Sequence, residues 1–290
     1  MKRTFIVGEE WLYYKLYCGD RTADIVLTEA IKPLTERLLD AGLISQWFFI
    51  RYSDPKNHLR IRFHCTDTAK IGIIIEAISD VLDYYVRCDL IWKVQIDTYQ
   101  RELERYGEET ILEAEQLFFH DSVTCVGALN LIEEEELLFL FVLKSIDYLL
   151  IDFNFDIKEK INFVKKNKML FQEEFKADKN LKKQLYKKYD TLQVQVEIFL
   201  SETLDSKFAP LQNLLDLKSK QNRPLKNIIL KHPANGNLQP SLTKLLSSYI
   251  HMMVNRVFRD KQRLHELLCY DFLSRYYQGI EAKNLKQWVK

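Results

Sequence analysis

Apolar and polar residues alternate along four short segments of the first hundred residues, and a period of two predicts β-strands. The strand segments are 11–17, 47–52, 58–63 and 91–98. Between them, two segments carry apolar residues at the helical period of about 3.6. The first helix is predicted over about 19–43, with a kink at Pro33. The second is predicted over about 69–86, where the segment Thr66-Asp67-Thr68 can cap the first turn.

The order of these elements, β-α-β-β-α-β, is that of the split βαβ, ferredoxin-like arrangement. After Gly107 the pattern becomes helical, and only 8 Gly and 6 Pro favour long helices over a many-turned all-β fold. We therefore expect an α+β protein. A mixed, ferredoxin-like α/β region over 1–107, with an antiparallel hairpin, precedes a helical region over 108–290, and the two pack as one domain. A stretch with three prolines, 223–240, predicts a loop or hinge.

Positive side chains cluster on the predicted hairpin. In its second strand the alternation puts His58, Arg60 and Arg62 on one face. Arg51 adds a further cation from the neighbouring strand. Like charges on adjacent strands destabilise a sheet, so this face is easier to explain if it binds an anion. A solvated outer face of an antiparallel sheet is the alternative, and the alternation leaves both open.

Two further residues are candidates because of their positions. Arg101 lies where the last strand gives way to a loop, a place that often presents functional groups; pairing with a local carboxylate is the alternative. His251 lies in a predicted helix, 241–258, on the face opposite the apolar stripe and beside Ser248 and Asn255. An imidazole suits proton transfer near neutral pH. His251 therefore either lines a polar cavity or is exposed and idle.

Composition narrows the classes of function. The chain has 42 Lys and Arg against 41 Asp and Glu, so nothing global favours nucleic acid or a membrane surface. The N-terminus lacks the apolar core of a signal peptide, and no apolar run is long enough to span a bilayer. We therefore expect a cytoplasmic protein. Five scattered cysteines lack zinc-site spacing, and neither a metal nor a cofactor is expected.

Four blocks of the sequence, taken in order, resemble one known family. They are WLYYKLY at 11–17, WFFIRYxDPxxHLRIR at 47–62, YxRExxRYG at 99–107 and SxxHMxxNR at 248–256. The family is the C-terminal, glutamate-eliminating domain of lantibiotic dehydratases, which also occurs alone as the thiopeptide-type bacteriocin biosynthesis domain. The resemblance runs from about residue 10 to 277, and the middle, about 120–235, matches only in helical character.

The resemblance implies a reaction and roles for the residues. It implies a carbon–oxygen lyase that eliminates glutamate from glutamylated Ser or Thr of a ribosomally made precursor peptide, leaving dehydroalanine or dehydrobutyrine. By matching position, Arg60 and Arg62 look like glutamyl-binding residues. Arg101 and His251 look like the pair closest to the chemistry. The sequence leaves open which of the two moves the proton; His251 is favoured as base or proton shuttle, with Arg101 holding developing charge, because a guanidinium is a poor base. The remaining substrate-binding candidates are Arg51, His58 and Asn255.

The same resemblance bears on partners and alternatives. The glutamyl-transfer domain of the family is absent, which implies a separate glutamyl-tRNA-dependent transfer protein as partner and no direct binding of nucleic acid by this chain. Some relatives instead form the pyridine ring of thiopeptides by cycloaddition and have lost the elimination residues that this chain retains. A non-catalytic leader-peptide-binding partner is a further alternative. The oligomeric state is left open, a homodimer included.

Overall fold

The computed structural model divides the chain into two compact units. It describes residues 1–201, 205–234 and 240–288. Unit 1 is Met1–Leu131 with Asn227–Asp260, and unit 2 is Ile132–Lys226 with Lys261–Lys290. Unit 1 therefore combines the predicted sheet with the helix that carries His251. The packing of regions 1–107 and 108–290 as one domain stays a prediction.

The strands form two antiparallel sheets, both in unit 1. They are β1 Thr4–Phe5, β2 Trp11–Cys18, β3 Ile44–Tyr52, β4 His58–Cys65, β5 Ile91–Asp97 and β6 Tyr99–Gln100. The larger sheet has the order β3-β4-β2-β5, and β1 pairs with β6. With α-helices between β2 and β3 and between β4 and β5, this is the predicted ferredoxin-like arrangement, and the α+β class is confirmed.

The helices follow in chain order. They are α1 Asp20–Ile25, α2 Lys32–Asp40, α3 Ile71–Arg87, α4 Leu103–Tyr106, α5 Ile111–Leu131, α6 Glu135–Asp152, α7 Ile157–Glu174, α8 Lys179–Phe199, α9 Ala209–Ile229, α10 Lys231–Ala234, α11 Leu242–Val257 and α12 Gln262–Trp288. A π-helical segment, Val26–Ile31, joins α1 to α2. Pro33 lies in the first turn of α2, where a missing N–H group costs no hydrogen bond. Among the described residues, no helix is both long and apolar enough to cross a membrane.

The loop predicted over 223–240 is wrong for its first part. Helix α9 continues through Pro224 to Ile229, although proline removes one helical hydrogen bond. Leu225 and Ile229 follow the proline and are both buried, so burial of apolar side chains outweighs the local preference. Residues 235–239 of that prediction lie outside the described residues.

One face of the larger sheet forms the core of unit 1 with the helices. Phe49, Leu59 and Ile61 on this face are fully buried. Helix α2 packs against β3, and α3 packs against β5. Asp67 accepts a hydrogen bond from the Ala69 N–H group and so caps the turn before α3, as the sequence predicts. Because side chains alternate, residues 58, 60 and 62 must point to the other face.

Unit 2 is helical and has a core of aromatic residues with buried polar pairs. Phe139 of α6 meets Phe272 of α12 edge to face, with ring centroids 5.0 Å apart. Lys160 Nζ lies 2.6 Å from Asp147 Oδ1, and the Tyr277 hydroxyl donates to the same carboxylate. Buried charges need partners of this kind, and here each is supplied from another helix of the unit.

Candidate functional site

The second face of the sheet gathers the predicted cations of β4. Strand β4 lies between β2 and β3. Each of its residues 58, 60 and 62 is therefore opposite one residue of β2 and one residue of β3, and all three side chains point to the same face. Arg62 lies between Tyr13 and Phe48. The remaining trios are Arg60 with Lys15 and Ile50, and His58 with Tyr17 and Tyr52. The structure thus brings His58, Arg60 and Arg62 together, within a frame of aromatic rings.

Arg62 is a buried cation without an anion. Its side chain is surrounded by rings, with the guanidinium carbon 4.4 Å from the centroid of Tyr13, 4.9 Å from Tyr99 and 5.2 Å from Phe48. The residue is only 8% exposed, and burial lowers the pKa of its guanidinium. No described carboxylate lies within 4.0 Å of Arg62, and its Nε atom has no hydrogen-bond partner there. Such a group is a candidate for binding an anion.

Arg60 is held in one orientation by two neighbours. Its guanidinium lies 3.4 Å from the ring centroid of Tyr52, and its Nε–H donates to His58 Nε2 at 3.1 Å. His58 Nδ1 lies 2.7 Å from the Lys56 carbonyl oxygen and donates to it, so the imidazole is neutral with its proton on Nδ1. Burial lowers the pKa of His58, which favours this neutral form. His58 therefore orients Arg60.

Arg51 points away from this face. It stands opposite Leu59 in the register, so its side chain lies on the helix-covered side of the sheet. There its guanidinium pairs with Asp24 of α1, and its Nε–H donates to the Arg256 carbonyl oxygen at 2.8 Å. The structure does not bring Arg51 to Arg60 and Arg62. Its contacts are those of a structural ion pair, and a role in substrate binding stays a prediction.

Asn255 also contacts the backbone of the hairpin. Its Oδ1 atom accepts from the Arg51 N–H group at 2.9 Å, and its Nδ2 group donates to the Arg51 carbonyl oxygen at 3.0 Å. One residue on, Arg256 donates from Nε to the Phe49 carbonyl oxygen at 2.8 Å. The Ser122 hydroxyl accepts from the Phe49 N–H group. Side chains of α5 and α11 thus satisfy the outward backbone groups of Phe49 and Arg51 in edge strand β3. Substrate binding by Asn255 stays a prediction.

Arg101 is buried in a bidentate ion pair. It is 5% exposed, and its Nε and Nη2 groups donate to the two oxygens of Glu115 at 2.7 Å each. A third donor, Nη1, reaches the Lys2 carbonyl oxygen at 2.9 Å. The Tyr99 hydroxyl donates to Glu115 as well, at 2.8 Å, and the Tyr99 ring also contacts Arg62. Tyr99 and Glu115 therefore connect Arg101 to Arg62.

His251 lies on α11 between two contacts that fix the helix. One turn before it, Ser248 accepts a hydrogen bond from Arg105 Nε at 3.3 Å. One turn after it, Asn255 binds the backbone of β3. His251 is half-buried and lies off the buried stripe of α11, as the sequence predicts. Residues three and four apart share a helix face, so His251 lies on the side of α11 that meets α4 and β3.

Sequence reasoning missed several residues of this site. Tyr13, Lys15 and Tyr17 alternate in β2, and that period could have assigned them to a face, although only the register shows that they flank β4. Glu115 carries no local signal, because it lies on α5, 14 residues from Arg101. Within the described residues, no cluster of His, Cys, Asp and Glu side chains could hold a metal ion.

Two bacterial biosynthesis proteins are similar to this chain. The chain is 27% identical over 271 residues to the nisin biosynthesis protein NisB of Lactococcus lactis subsp. lactis, covering 91% of this chain and 25% of NisB. It is 27% identical over 182 residues to the subtilin biosynthesis protein SpaB of Bacillus subtilis, covering 60% of this chain and 17% of SpaB. The chain thus spans about a quarter or less of the length of these relatives.

Solved structures share the fold. The tRNA-dependent lantibiotic dehydratase MibB from Microbispora sp. 107891 is similar with a TM-score of 0.71 and 20% identity, over 97% of this chain and 29% of MibB. TbtD, the pyridine synthase from thiomuracin biosynthesis, is similar with a TM-score of 0.66 and 12% identity, over 94% of this chain and 100% of TbtD. At these identities the likeness concerns the fold.

The family comparison covers nearly the whole chain. A model described as the lantibiotic biosynthesis dehydratase C-terminal domain matches residues 11–277, which include β2 through most of α12 and every residue of the site described above. The chain belongs to the lantibiotic dehydratase C-terminal domain family.

Proposed function

We propose that this protein is a lyase that eliminates glutamate from glutamylated Ser or Thr residues of a ribosomally made precursor peptide. The products are dehydroalanine or dehydrobutyrine and free glutamate. Membership of the lantibiotic dehydratase C-terminal family supports this proposal, as does the fold shared with a tRNA-dependent dehydratase. A separate glutamyl-tRNA-dependent transfer protein would supply the glutamylated peptide.

The observation that carries the proposal is Arg62. A guanidinium that is buried, ringed by three aromatic side chains and without a described carboxylate partner fits a bound anion. Arginine binds carboxylates through two parallel hydrogen bonds, and the glutamyl adduct carries a carboxylate. Arg60 lies two residues away on the same face and offers a second cation for it. The solvated sheet face of the alternative interpretation fits Arg62 poorly, because that residue is buried.

The elimination needs two kinds of group, a base that removes a proton and cations that stabilise negative charge. The base removes the proton from the Cα atom of the modified residue. The electron pair forms the Cα=Cβ double bond, and the Cβ–O bond breaks so that glutamate leaves as a carboxylate. We assign proton removal to His251, the half-buried imidazole on the polar side of α11. Arg60 and Arg62 would hold the glutamyl group as negative charge moves onto it.

Arg101 has two roles open to it in this scheme. Three of the five N–H groups of a guanidinium are already donated, to Glu115 and to the Lys2 carbonyl. The two left over could meet developing charge at the reacting centre. Its pairing with Glu115, which also binds Tyr99, equally supports a positioning role for the ring that packs on Arg62. An Arg101→Lys variant distinguishes the roles, since loss of positioning raises KM while loss of charge stabilisation lowers kcat.

A second candidate function is formation of a pyridine ring by cycloaddition. It is favoured by one observation, that this chain matches TbtD over the full length of that pyridine synthase. Cycloaddition joins two dehydroalanines already present in a peptide and needs no glutamyl carboxylate. The buried, unpaired guanidinium of Arg62 therefore favours elimination.

The experiment is incubation of the purified protein with a glutamylated precursor peptide, followed by mass spectrometry. Elimination predicts loss of glutamate from each modified residue and appearance of the dehydro residue. A peptide that already contains dehydroalanines serves as the parallel substrate, and its cyclisation would favour the second candidate. A peptide bound without change in mass would favour a leader-peptide-binding protein.

A further inference from the structure

One carboxylate lies on the same face of the sheet as Arg60 and Arg62. The register of β2 with β4 and β5 places Tyr13 between Arg62 on one side and Asp97 on the other. Arg62 and Asp97 are thus two strands apart, which corresponds to about 10 Å between their backbones. Of the residues that the described strands place on this face, only Asp97 is acidic. The face is therefore mixed in charge.

Two contacts fix the carboxylate of Asp97. Its Oδ2 atom forms an ion pair with Lys15, and its Oδ1 atom accepts a hydrogen bond from the Thr98 N–H group at 2.7 Å. A carboxylate offers about four acceptor positions, so acceptor capacity remains after these two contacts. The side chain of Asp97 is 34% exposed, and a ligand can therefore reach it.

Tyr13 connects this ion pair to the arginines. The guanidinium carbon of Arg62 lies 4.4 Å from the centroid of the Tyr13 ring, and Lys15 Nζ lies 5.6 Å from the same centroid. Burial raises the pKa of the Tyr13 hydroxyl, and the charges of both arginines, Lys15 and Asp97 also act on it. Three cations and one anion of this face are therefore grouped around a single ring.

The glutamyl group of the proposed substrate carries charges of both signs. Glutamyl-tRNA holds glutamate through its α-carboxyl group, so an ester formed from it on Ser or Thr keeps a side-chain carboxylate and a free α-ammonium group. Elimination then releases the α-carboxyl group as a second carboxylate. A site for this group needs cations for the carboxylates and an anion for the ammonium, because a charge that leaves water needs a partner.

We propose that Asp97 binds the α-ammonium group of the glutamyl adduct, while Lys15 and the Thr98 N–H group hold its carboxylate in place. This inference rests on the proposed elimination of glutamate, and it makes Asp97 a specificity-determining residue of that site. Arg60 and Arg62 take the side-chain carboxylate at the other end of the adduct. An acyl group of the same length without the amino group, glutaryl, leaves Asp97 without its ligand and binds less well.

Binding measures this preference without turnover. Two precursor peptides are compared in which an amide replaces the ester, so that neither can eliminate; one carries a glutamyl group and the other a glutaryl group. Isothermal titration calorimetry is done at about pH 6.5, where an α-amino group is protonated. The glutamyl peptide should have a dissociation constant at least about tenfold lower. Equal dissociation constants, or binding of neither peptide, would overturn the proposal.

The Asp97→Asn variant tests whether Asp97 is the source of the preference. It keeps the size of the side chain and removes its charge, so the glutamyl peptide should bind at least about tenfold more weakly and the glutaryl peptide at least as tightly as before. Weaker binding of both peptides would show a structural role. Tighter binding of both would show that Asp97 only offsets the charge of Lys15. Either result would contradict the proposal.

The matched control is Asp83→Asn. It also removes a carboxylate from an ion pair of unit 1, that of Asp83 with Arg87 on the exposed side of α3, and both peptides should bind as they do to the wild type. Release of glutamate from the ester-linked peptide is measured in parallel. Release without a preference for glutamyl over glutaryl would overturn the role of Asp97 alone. A preference in binding without any release would instead overturn the proposed elimination.

Discussion

At the scale of single residues, the two arginines of β4 share a face but not an environment. Arg60 has an acceptor, His58, and a ring, Tyr52, that fix its direction. Arg62 has rings only. Cation–π contacts are worth roughly 0.5–2 kcal/mol each, less than the cost of burying an unpaired charge. A bound anion, as proposed above, would offset this cost.

His251 is the residue to which we assign proton transfer. It lies off the buried stripe of α11, so His251→Ala should fold normally and slow elimination by at least about 10²-fold. Glutamylated peptide would then accumulate when the transfer enzyme is supplied. His265→Ala, at a half-buried histidine of unit 2, is the control and should retain wild-type turnover. An unchanged yield of dehydroalanine with His251→Ala would remove this residue from the mechanism.

His58 predicts a dependence of stability on pH. Burial lowers its pKa in the folded protein, whereas in the unfolded chain a histidine titrates near about 6.5. The unfolded state then binds more protons in this range, so the free energy of unfolding should fall as pH drops from about 6.5 towards the folded pKa. His64 shifts in the same direction for the same reason.

The measurement for His58 is urea unfolding at several pH values. His58→Phe keeps a ring for stacking on Tyr17, whose centroid lies 4.6 Å away, and removes the titrating group. Its free energy of unfolding should vary less with pH than that of the wild type, with the part due to His64 remaining. Parallel pH profiles for the variant and the wild type would show that His58 is not buried as a neutral group.

At the scale of elements, α11 carries His251 and also forms hydrogen bonds with backbone groups of the edge strand β3. The Asn255 amide binds the N–H and C=O groups of Arg51, and Arg256 binds the carbonyl of Phe49. These bonds fix the position of α11 against β3, the strand that the hairpin turn joins to β4. In the motif around His251, Asn255 and Arg256 therefore have structural roles, and His251 is the residue to which we assign proton transfer.

Asn255→Ala should reveal that structural part. Two backbone groups of β3 would lose their partners, and the free energy of unfolding should fall by about 1–3 kcal/mol. Denaturant unfolding measures this change, and Asn162→Ala, at an exposed position on α7, should have little effect. If Asn255 instead bound substrate, KM would rise while unfolding stayed at the wild-type midpoint.

The sequence predicts the positions of strands and helices better than the face of the sheet on which each side chain lies. Alternation located β4 and the shared face of Arg60 and Arg62, because a period of two is a local property. The sequence does not show which face of the sheet Arg51 occupies, because that depends on how β3 and β4 are aligned across the turn. In the observed register Arg51 is opposite Leu59, so its side chain lies on the other face from Arg60 and Arg62. The partner of Arg101, Glu115, depends on how α5 packs. Helix α9 passes Pro224 because buried neighbours outweigh local preference.

At the scale of the whole molecule, every residue of the candidate site lies in unit 1. The family match extends through both units, from residue 11 to 277, while the chain spans about a quarter or less of NisB and SpaB. The proposal therefore concerns elimination from a peptide that already carries glutamate. In this proposal the sheet of unit 1 supplies the arginines that hold the glutamyl group, and α11 supplies the imidazole.

The most direct test of the account is the rate of glutamate release from a glutamylated precursor peptide by wild type, Arg62→Lys and Arg87→Lys. Lysine keeps the charge but lacks the two-pronged geometry that binds a carboxylate, so Arg62→Lys should lower kcat/KM by at least about tenfold. Arg87 is a solvent-exposed arginine of α3, and its replacement should change nothing. Release of glutamate by Arg62→Lys at the wild-type rate, or no release by the wild type, would contradict an anion site built on Arg62.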